Sequence, residues 1–201
     1  MKSIDFWFTI GSTYTYLSVM RLEAVAKETG ISFNYRPFSV LEIMLEMDNI
    51  PFLEKPIKSQ NMWRDIERRA EKYGCPAKLP APYPPERAEY DLANWVAVVG
   101  REEGWCDKYL FATYEKLFQH DQQAGSDPNL GDSLREIGQD PARVIARAKS
   151  AEIAEAFDEA TLEARALGIF GAPTFMVDGE LFWGDDRLED AISWRNFGRV
   201  A

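Results

Sequence analysis

The sequence predicts an α/β protein: a strand–helix–strand unit, a long helical segment, and a closing hairpin followed by a helix. Three observations predict this architecture. An apolar run at residues 3–10 ends at a glycine. Residues 59–167 show helical periodicity with helix-entry and helix-stop signals. The pair Asp178-Gly179 separates two short apolar runs near the end of the chain, which is typical of a β-hairpin.

The first unit is read from residues 3–36. Residues 3–10 predict a strand, and residues 12–29 predict a helix because apolar residues recur there at spacings of three and four. Gly30 ends the helix, and residues 31–36 alternate as a second strand does. We therefore expect a parallel pair of strands with a right-handed helical crossover.

The middle of the chain is predicted to be helical. Gly74 and Gly168 are stop signals at the ends of its first and last helices. The predicted longer helices are residues 59–73, 87–104, 106–120 and 151–167, with two shorter ones between the last two. Residues 79–86, rich in proline, are predicted to form a loop.

The β pattern returns at residues 174–177 and 180–183, which flank Asp178-Gly179. A last helix is predicted from about Arg187. Pro173 stands immediately before the first of these strands. It is either an ordinary strand-start proline or a cis-proline that fixes a loop beside an active site.

This order of elements is that of a thioredoxin-like fold with a large all-helical insertion. We assign residues 1–58 and 168–201 to the thioredoxin-like core and residues 59–167 to the insertion, within one chain of 201 residues. A composition of 46% apolar residues is sufficient for a packed core.

Charge and hydropathy exclude several classes of function. A net charge of −10 disfavours nucleic-acid and membrane-surface binding, since phosphates and anionic lipids repel an acidic chain. No apolar run is long enough for a membrane span, and the first residues do not resemble a signal peptide. We expect a cytoplasmic protein.

Ser12 occupies the position, between a buried strand and a helix, where a redox protein of this fold would carry a cysteine. The sequence has no CxxC motif. Cys75 and Cys106 are far apart and are expected to be reduced and buried, and His120, the one histidine, is expected on the surface. A metal site or a catalytic triad therefore has little support.

Ser12 has two interpretations. Its hydroxyl could simply cap the helix. Alternatively, the helix N-terminus, with its unpaired N–H groups and partial positive charge, could favour a thiolate carried by a ligand. Ser12 would then donate a hydrogen bond to that sulfur, and the sulfur would act as the nucleophile.

Four stretches carry a resemblance to a known family: the strand-Gly-Ser-helix start, NIPFLEKPIK, FGAPTFMVDGELFWG and GDDRLEDA. With these, the chain resembles the 2-hydroxychromene-2-carboxylate isomerases and kappa-class glutathione transferases nearly from end to end. These are DsbA-like proteins of the thioredoxin fold. One departure is Ser12-Thr13, where the family usually has Ser-Pro.

The resemblance implies glutathione as cofactor, with Ser12 beside its sulfur. It also implies that Asn49 and Lys58 contact glutathione, the lysine facing the glycine carboxylate, and that the backbone of Ala172, before Pro173, pairs with the cysteinyl part. Lys58 could equally be a solvated loop residue.

The resemblance also places Asp185 and Asp186 at the γ-glutamyl end of glutathione, Asp185 being the less secure of the two. Without a ligand, two acidic residues would still favour a helix start there. Arg187 is a weaker candidate, and Thr15 could supply a second hydroxyl near the sulfur.

The function implied is a glutathione-dependent isomerase for aromatic compounds such as 2-hydroxychromene-2-carboxylate. Trp63, Tyr83 and Trp183 are available to line a site for the aromatic substrate, although aromatic residues more often lie in a core. The alternatives are a glutathione transferase or peroxidase, a DsbA-type oxidoreductase lacking its redox cysteines, and a binding module without activity. Relatives of this kind are commonly dimers, so a homodimer is expected.

Overall fold

The computed structural model describes residues 3–49 and 55–200. In this part of the chain, one mixed sheet has the strand order β2-β1-β3-β4. Its strands are β1 (Ser3–Phe8), β2 (Ser32–Pro37), β3 (Thr174–Val177) and β4 (Glu180–Trp183). The thioredoxin-like fold predicted from the sequence is confirmed.

The strand pairing follows the predicted motifs. β1 and β2 are parallel and are joined by helix α1 (Thr13–Thr29), which confirms the β-α-β unit. β3 runs antiparallel to both β1 and β4. The β3–β4 turn places Asp178 at φ 50° and Gly179 at φ 88°, as a two-residue hairpin requires.

β1 is buried on both faces, which explains its nearly continuous apolar sequence. On one face Phe6 stacks on Phe8 and Phe175, with ring centroids 5.5 and 5.3 Å apart. On the other face Trp7 meets Phe38 edge-on at 5.9 Å. All five side chains are fully buried, so β1 lies at the centre of the molecule.

Helices fill the chain between β2 and β3, as predicted. Each long helix lies within a few residues of its predicted bounds. After the short α2 (Val40–Glu46) they are α3 (Pro56–Tyr73), α4 (Arg87–Glu103), α5 (Cys106–His120), α6 (Asn129–Glu136), α7 (Pro141–Ala148) and α8 (Ala151–Ala166). α3 starts earlier than residue 59 because Pro56 occupies its first turn, a favourable position for proline.

Helix α2 (Val40–Glu46) was not predicted. The Ser39 hydroxyl caps it by accepting a hydrogen bond from the Glu42 amide at 3.4 Å. Ser39-Val40-Leu41-Glu42 matches the spacing of a capping box, so the signal was present in the sequence.

The two ends of the predicted core also differ slightly from expectation. β1 stops at Phe8 rather than at residue 10, so Thr9 and Ile10 leave the sheet before α1 begins. At the other end, a 3-10 turn (Asp185–Arg187) precedes helix α9 (Leu188–Phe197).

The expectations on the two cysteines and the histidine are confirmed. Cys75 and Cys106 are free and buried, and His120 is exposed. Among the described helices, none combines the length and the apolar character that crossing a bilayer requires.

Candidate functional site

Ser12 lies at the N-cap of α1, half-buried, with extended backbone angles (φ −79°, ψ 126°). Its hydroxyl accepts a hydrogen bond from the Thr15 amide at 3.2 Å and donates one to the carbonyl of Ala172 at 3.0 Å. The cap interpretation is therefore realised. The same hydroxyl also reaches a loop 160 residues away in the chain, which a cap alone does not require.

That loop contains a cis peptide bond between Ala172 and Pro173, so Pro173 has the cis form that the second interpretation required. Thr174 donates from its hydroxyl to the carbonyl of Gly171 at 2.8 Å, and Gly184 donates from its amide to the carbonyl of Pro173 at 2.9 Å. The loop thus joins Ser12 on one side to the 3-10 turn on the other.

The 3-10 turn presents its two aspartates differently. Asp185 is 1% exposed and accepts two hydrogen bonds from Arg69 of α3, at 3.0 and 2.7 Å. Burial, together with the charge of Asp186, raises the pKa of Asp185 above its ordinary value despite the nearby guanidinium of Arg69. Asp186 has 45% of its side chain exposed and lies 3.3 Å from Arg187 and 4.0 Å from Arg69. Asp186 is therefore the carboxylate open to a ligand.

Arg69 belongs to a polar stripe on α3 that the sequence analysis missed. Asp65, four residues earlier on the same face, accepts a hydrogen bond from the Tyr14 hydroxyl at 3.2 Å. Burial, with Asp65 adding to it, raises the pKa of Tyr14 to about 12, so this hydroxyl is a donor at neutral pH. α3 is thereby fixed against the first turn of α1 and against the 3-10 turn.

Lys58 is exposed in the first turn of α3, so it is a helix residue and not a loop lysine. Its spacing from Asp65 and Arg69 places it on their face of the helix. Asn49 is exposed after α2, and its backbone N–H donates to the carbonyl of Met44 at 2.9 Å. Half of the NIPFLEKPIK motif, residues 50–54, lies outside the described residues.

The three candidate aromatic residues fall into two places. Trp63 and Tyr83 meet edge-to-face at 5.1 Å, and the Tyr83 hydroxyl donates to the carbonyl of Gly11 at 3.1 Å. Trp183 is 52% exposed and contacts Phe170 at 4.8 Å, close to the loop before Pro173. Trp63 and Tyr83 therefore lie beside the loop that precedes Ser12, and Trp183, at the end of β4, lies beside the loop that accepts the Ser12 hydrogen bond.

An open groove of about 900 Å³ lies along α3. It is lined by Ile57, Gln60, Trp63, Arg64, Glu67 and Leu79, among others. Most of these helix positions are on the flank opposite to Lys58, Asp65 and Arg69. Trp63, which lines this groove, also contacts Tyr83, whose hydroxyl donates to the carbonyl of Gly11 beside Ser12.

The sequence-family model of the DSBA-like thioredoxin domain matches residues 3–192 of this chain. The chain belongs to the DSBA-like thioredoxin family. Within this family it is similar to a protein from Sphingobium xenophagum named 2-hydroxychromene-2-carboxylate isomerase, with 29% identity over 94% of this chain and 95% of the relative.

Two solved structures are similar in fold to this DSBA-like protein. The structure of a 2-hydroxychromene-2-carboxylate isomerase superimposes with a TM-score of 0.82 at 23% identity, over 92% of this chain and 90% of the other. The cytosolic disulfide reductase DsbM from Pseudomonas aeruginosa, solved with GSH, gives a TM-score of 0.62 at 15% identity, over 97% and 96% of the two chains. At these identities the likeness shows the fold.

Proposed function

We propose that the protein is a glutathione-dependent isomerase of aromatic compounds of the 2-hydroxychromene-2-carboxylate type. The observation that carries the proposal is the position of the Ser12 hydroxyl, at the N-terminus of α1 and 3.0 Å from the carbonyl before cis-Pro173. The names of the curated relatives support the reaction, and the GSH in the DsbM structure supports the cofactor.

The proposed chemistry begins with ionisation of the glutathione thiol, whose proton passes to the solvent. The first N–H groups of a helix have no partner within it and carry a partial positive charge, which favours a thiolate. Ser12 would turn its hydroxyl from the Ala172 carbonyl to the sulfur, which frees that carbonyl for the amide of the cysteinyl residue of glutathione. The Ser12 hydroxyl would then donate to the sulfur and the Ala172 carbonyl would accept from the ligand amide, so neither group would lose a hydrogen bond.

The hemiketal ring of the chromene first opens: its ring C–O bond breaks, the phenol oxygen takes up a proton, and the 2-hydroxyl loses one and becomes a ketone conjugated with the double bond. The thiolate sulfur then adds to the β-carbon of this conjugated ketone. The new C–S bond takes up the electron pair of the sulfur, and the displaced π electrons move onto the substrate carbonyl oxygen. Rotation about the bond that was double follows. The electrons return, the C–S bond breaks, and glutathione leaves unchanged. No step of this reaction oxidises or reduces the substrate overall, so it needs no redox group.

The two ends of glutathione are assigned by charge. Lys58 would face the glycine carboxylate, since its position in the first turn of α3 adds the positive end of that helix to its own charge. Asn49 would contact the same part of the ligand. Asp186 would face the α-ammonium group. Asp185, paired with Arg69, would hold the 3-10 turn in place.

The redox alternative is disfavoured by the environment of the two cysteines. Burial raises the pKa of both the Cys75 and the Cys106 thiols, which suppresses the reactive thiolate. A glutathione transferase or peroxidase would use the same bound thiolate as the isomerase. An assay of several substrates is therefore required to separate these activities.

The proposal is tested by following the ultraviolet spectrum of 2-hydroxychromene-2-carboxylate with the protein, with and without glutathione. Isomerisation that needs both protein and glutathione is expected. Aryl-halide and hydroperoxide substrates are measured in parallel. Rates equal to buffer on the chromene, with turnover of either electrophile, would replace the isomerase by a transferase or peroxidase.

Replacing Asp186 with asparagine is expected to raise the KM for glutathione about tenfold, because a charge-assisted hydrogen bond to the ligand ammonium is weakened. The kcat is expected to stay near the wild-type value, since Asp186 lies at the far end of the ligand from the sulfur. Steady-state kinetics measures both constants. Asp190→Asn is the control, since Asp190 bonds only to Arg187 among the described contacts, at 2.7 Å. An equal KM shift in both variants would refute the assignment.

A further inference from the structure

The loop at residues 9–11, between β1 and Ser12, is held by the helical insertion. Asn94 of α4, which is fully buried, forms two hydrogen bonds with the backbone of Ile10. Its Oδ1 accepts from the Ile10 amide at 2.8 Å, and its Nδ2 donates to the Ile10 carbonyl at 3.2 Å. One amide side chain thus replaces the two hydrogen bonds that a neighbouring strand would have made.

Three tyrosines complete the attachment of this loop. The Tyr114 hydroxyl donates to the carbonyl of Thr9 at 2.6 Å, and the Tyr90 hydroxyl shares a 2.5 Å hydrogen bond with the Thr9 hydroxyl. The Tyr83 hydroxyl donates to Gly11. The Thr9 carbonyl also accepts from the Ser12 amide at 3.3 Å, so the attachment continues directly into the residue that carries the proposed site.

The arrangement is specific because the chain leaves the sheet here. Buried backbone groups require partners, and at Ile10 these come from one side chain that carries both an acceptor and a donor. The position of Ser12 is therefore set from α4 and α5, whereas its hydroxyl points to the opposite loop at Ala172. Any movement of Asn94 would be transmitted to Ser12 through two residues of backbone.

We propose that Asn94 is a positioning residue: by hydrogen-bonding the Ile10 backbone at both its amide and its carbonyl, it holds the Ser12 hydroxyl in register with the cis-Pro173 loop. The inference rests on the proposed function, because Ser12 is taken as the group that holds the glutathione sulfur. It adds to that function a role for the helical insertion, which would set the geometry of a site located in the thioredoxin-like core.

Asn94→Ala is compared with Asn129→Ala. Asn129 of α6 is also fully buried, and its amide is also fully hydrogen-bonded, to Thr113, Gln122 and Ser133. The two variants should lose similar stability. Only Asn94→Ala is expected to lower kcat at saturating glutathione, by roughly tenfold, because small misplacements of a reacting group are costly. The KM for glutathione should change by less than about twofold, since the charged contacts are elsewhere.

A double variant separates positioning from general damage. If Asn94 acts through Ser12, then Asn94→Ala/Ser12→Ala should have the same kcat as Ser12→Ala alone, because the residue being positioned is already gone. If the two losses multiply, Asn94 acts independently of Ser12 and the proposal is overturned.

Tyr114→Phe tests the attachment of the same loop if Asn94→Ala fails to fold. It removes only the hydroxyl on the Thr9 carbonyl, and Tyr109→Phe on the same helix is its control, since that hydroxyl lies 3.4 Å from Ala93 instead. Tyr114→Phe should lower kcat, whereas Tyr109→Phe should leave kcat near the wild-type value. Equal kcat values in these two variants would count against the inference.

Hydrogen exchange distinguishes failure of this inference from failure of the proposed function. The Thr15 amide, which donates to Ser12, is followed without glutathione. Faster exchange in Asn94→Ala than in Asn129→Ala supports the positioning of Ser12, and equal exchange refutes it. Absence of any glutathione-dependent activity in the wild-type protein would refute the proposed function, and this exchange comparison would still decide the role of Asn94.

Discussion

Replacing Ser12 with alanine is expected to lower glutathione-dependent turnover by roughly ten- to a hundredfold near neutral pH, since a charge-assisted hydrogen bond to the thiolate is lost. The bound thiol of glutathione should then ionise at a higher pH. Much of the activity should therefore return in alkaline solution, where glutathione loses its proton without help. The pH–rate profile at saturating glutathione measures this shift.

Ser150→Ala is the matched control for Ser12→Ala. Ser150 caps α8 through the same kind of bond, from the Ile153 amide at 3.4 Å, but lies in another helix. Both variants should lose about 0.5–2 kcal/mol of folding stability. Only Ser12→Ala should change the pH–rate profile. Superimposable profiles for wild type and Ser12→Ala would reduce Ser12 to a helix cap.

Replacing Arg69 with methionine is expected to cost about 3–5 kcal/mol of folding stability, because it leaves the buried carboxylate of Asp185 without its partner. Denaturant unfolding measures the loss. Arg69→Met/Asp185→Asn should recover much of it, since the unpaired charge is removed. Arg64→Met is the control, because the Arg64–Glu67 pair is exposed on the same helix and should contribute little.

The loss in Arg69→Met should depend on pH in a definite direction. The pKa of Asp185 is already raised by burial, and without Arg69 it should rise further. A carboxyl whose pKa is raised on folding stabilises the protein while it is neutral, and this contribution is lost as the pH rises through the raised value. The variant should therefore be closest to wild type in acid and furthest from it near neutral pH. A loss that stays constant between these conditions would contradict the burial of Asp185.

Local signals made most of the fold predictable. The Asp178-Gly179 turn, the glycines that end α1 and α3, and the apolar run of β1 each depend on neighbouring residues only. α2 has such a signal in its capping box and was overlooked. Its seven residues are too few for a helical period to stand out.

The site was predictable only in part, because its decisive contacts are distant in sequence. Ser12 stood out because its position between strand and helix is itself local. Arg69 and Asp185 are 116 residues apart, and Asn94 and Ile10 are 84 apart, so neither pair leaves a pattern in the chain. The assignments of Asn49 and Lys58 to glutathione remain predictions that depend on the resemblance and on charge.

The central claim is that glutathione binds at Ser12 with its thiol ionised. Calorimetric titration with glutathione, repeated in buffers of different ionisation enthalpy at a pH below the ordinary thiol pKa of about 8.5, measures the protons released on binding. The account predicts proton release with wild type, less release with Ser12→Ala, and none with S-methylglutathione, which has no thiol proton. Binding of glutathione without proton release, or no binding at millimolar glutathione, would contradict it.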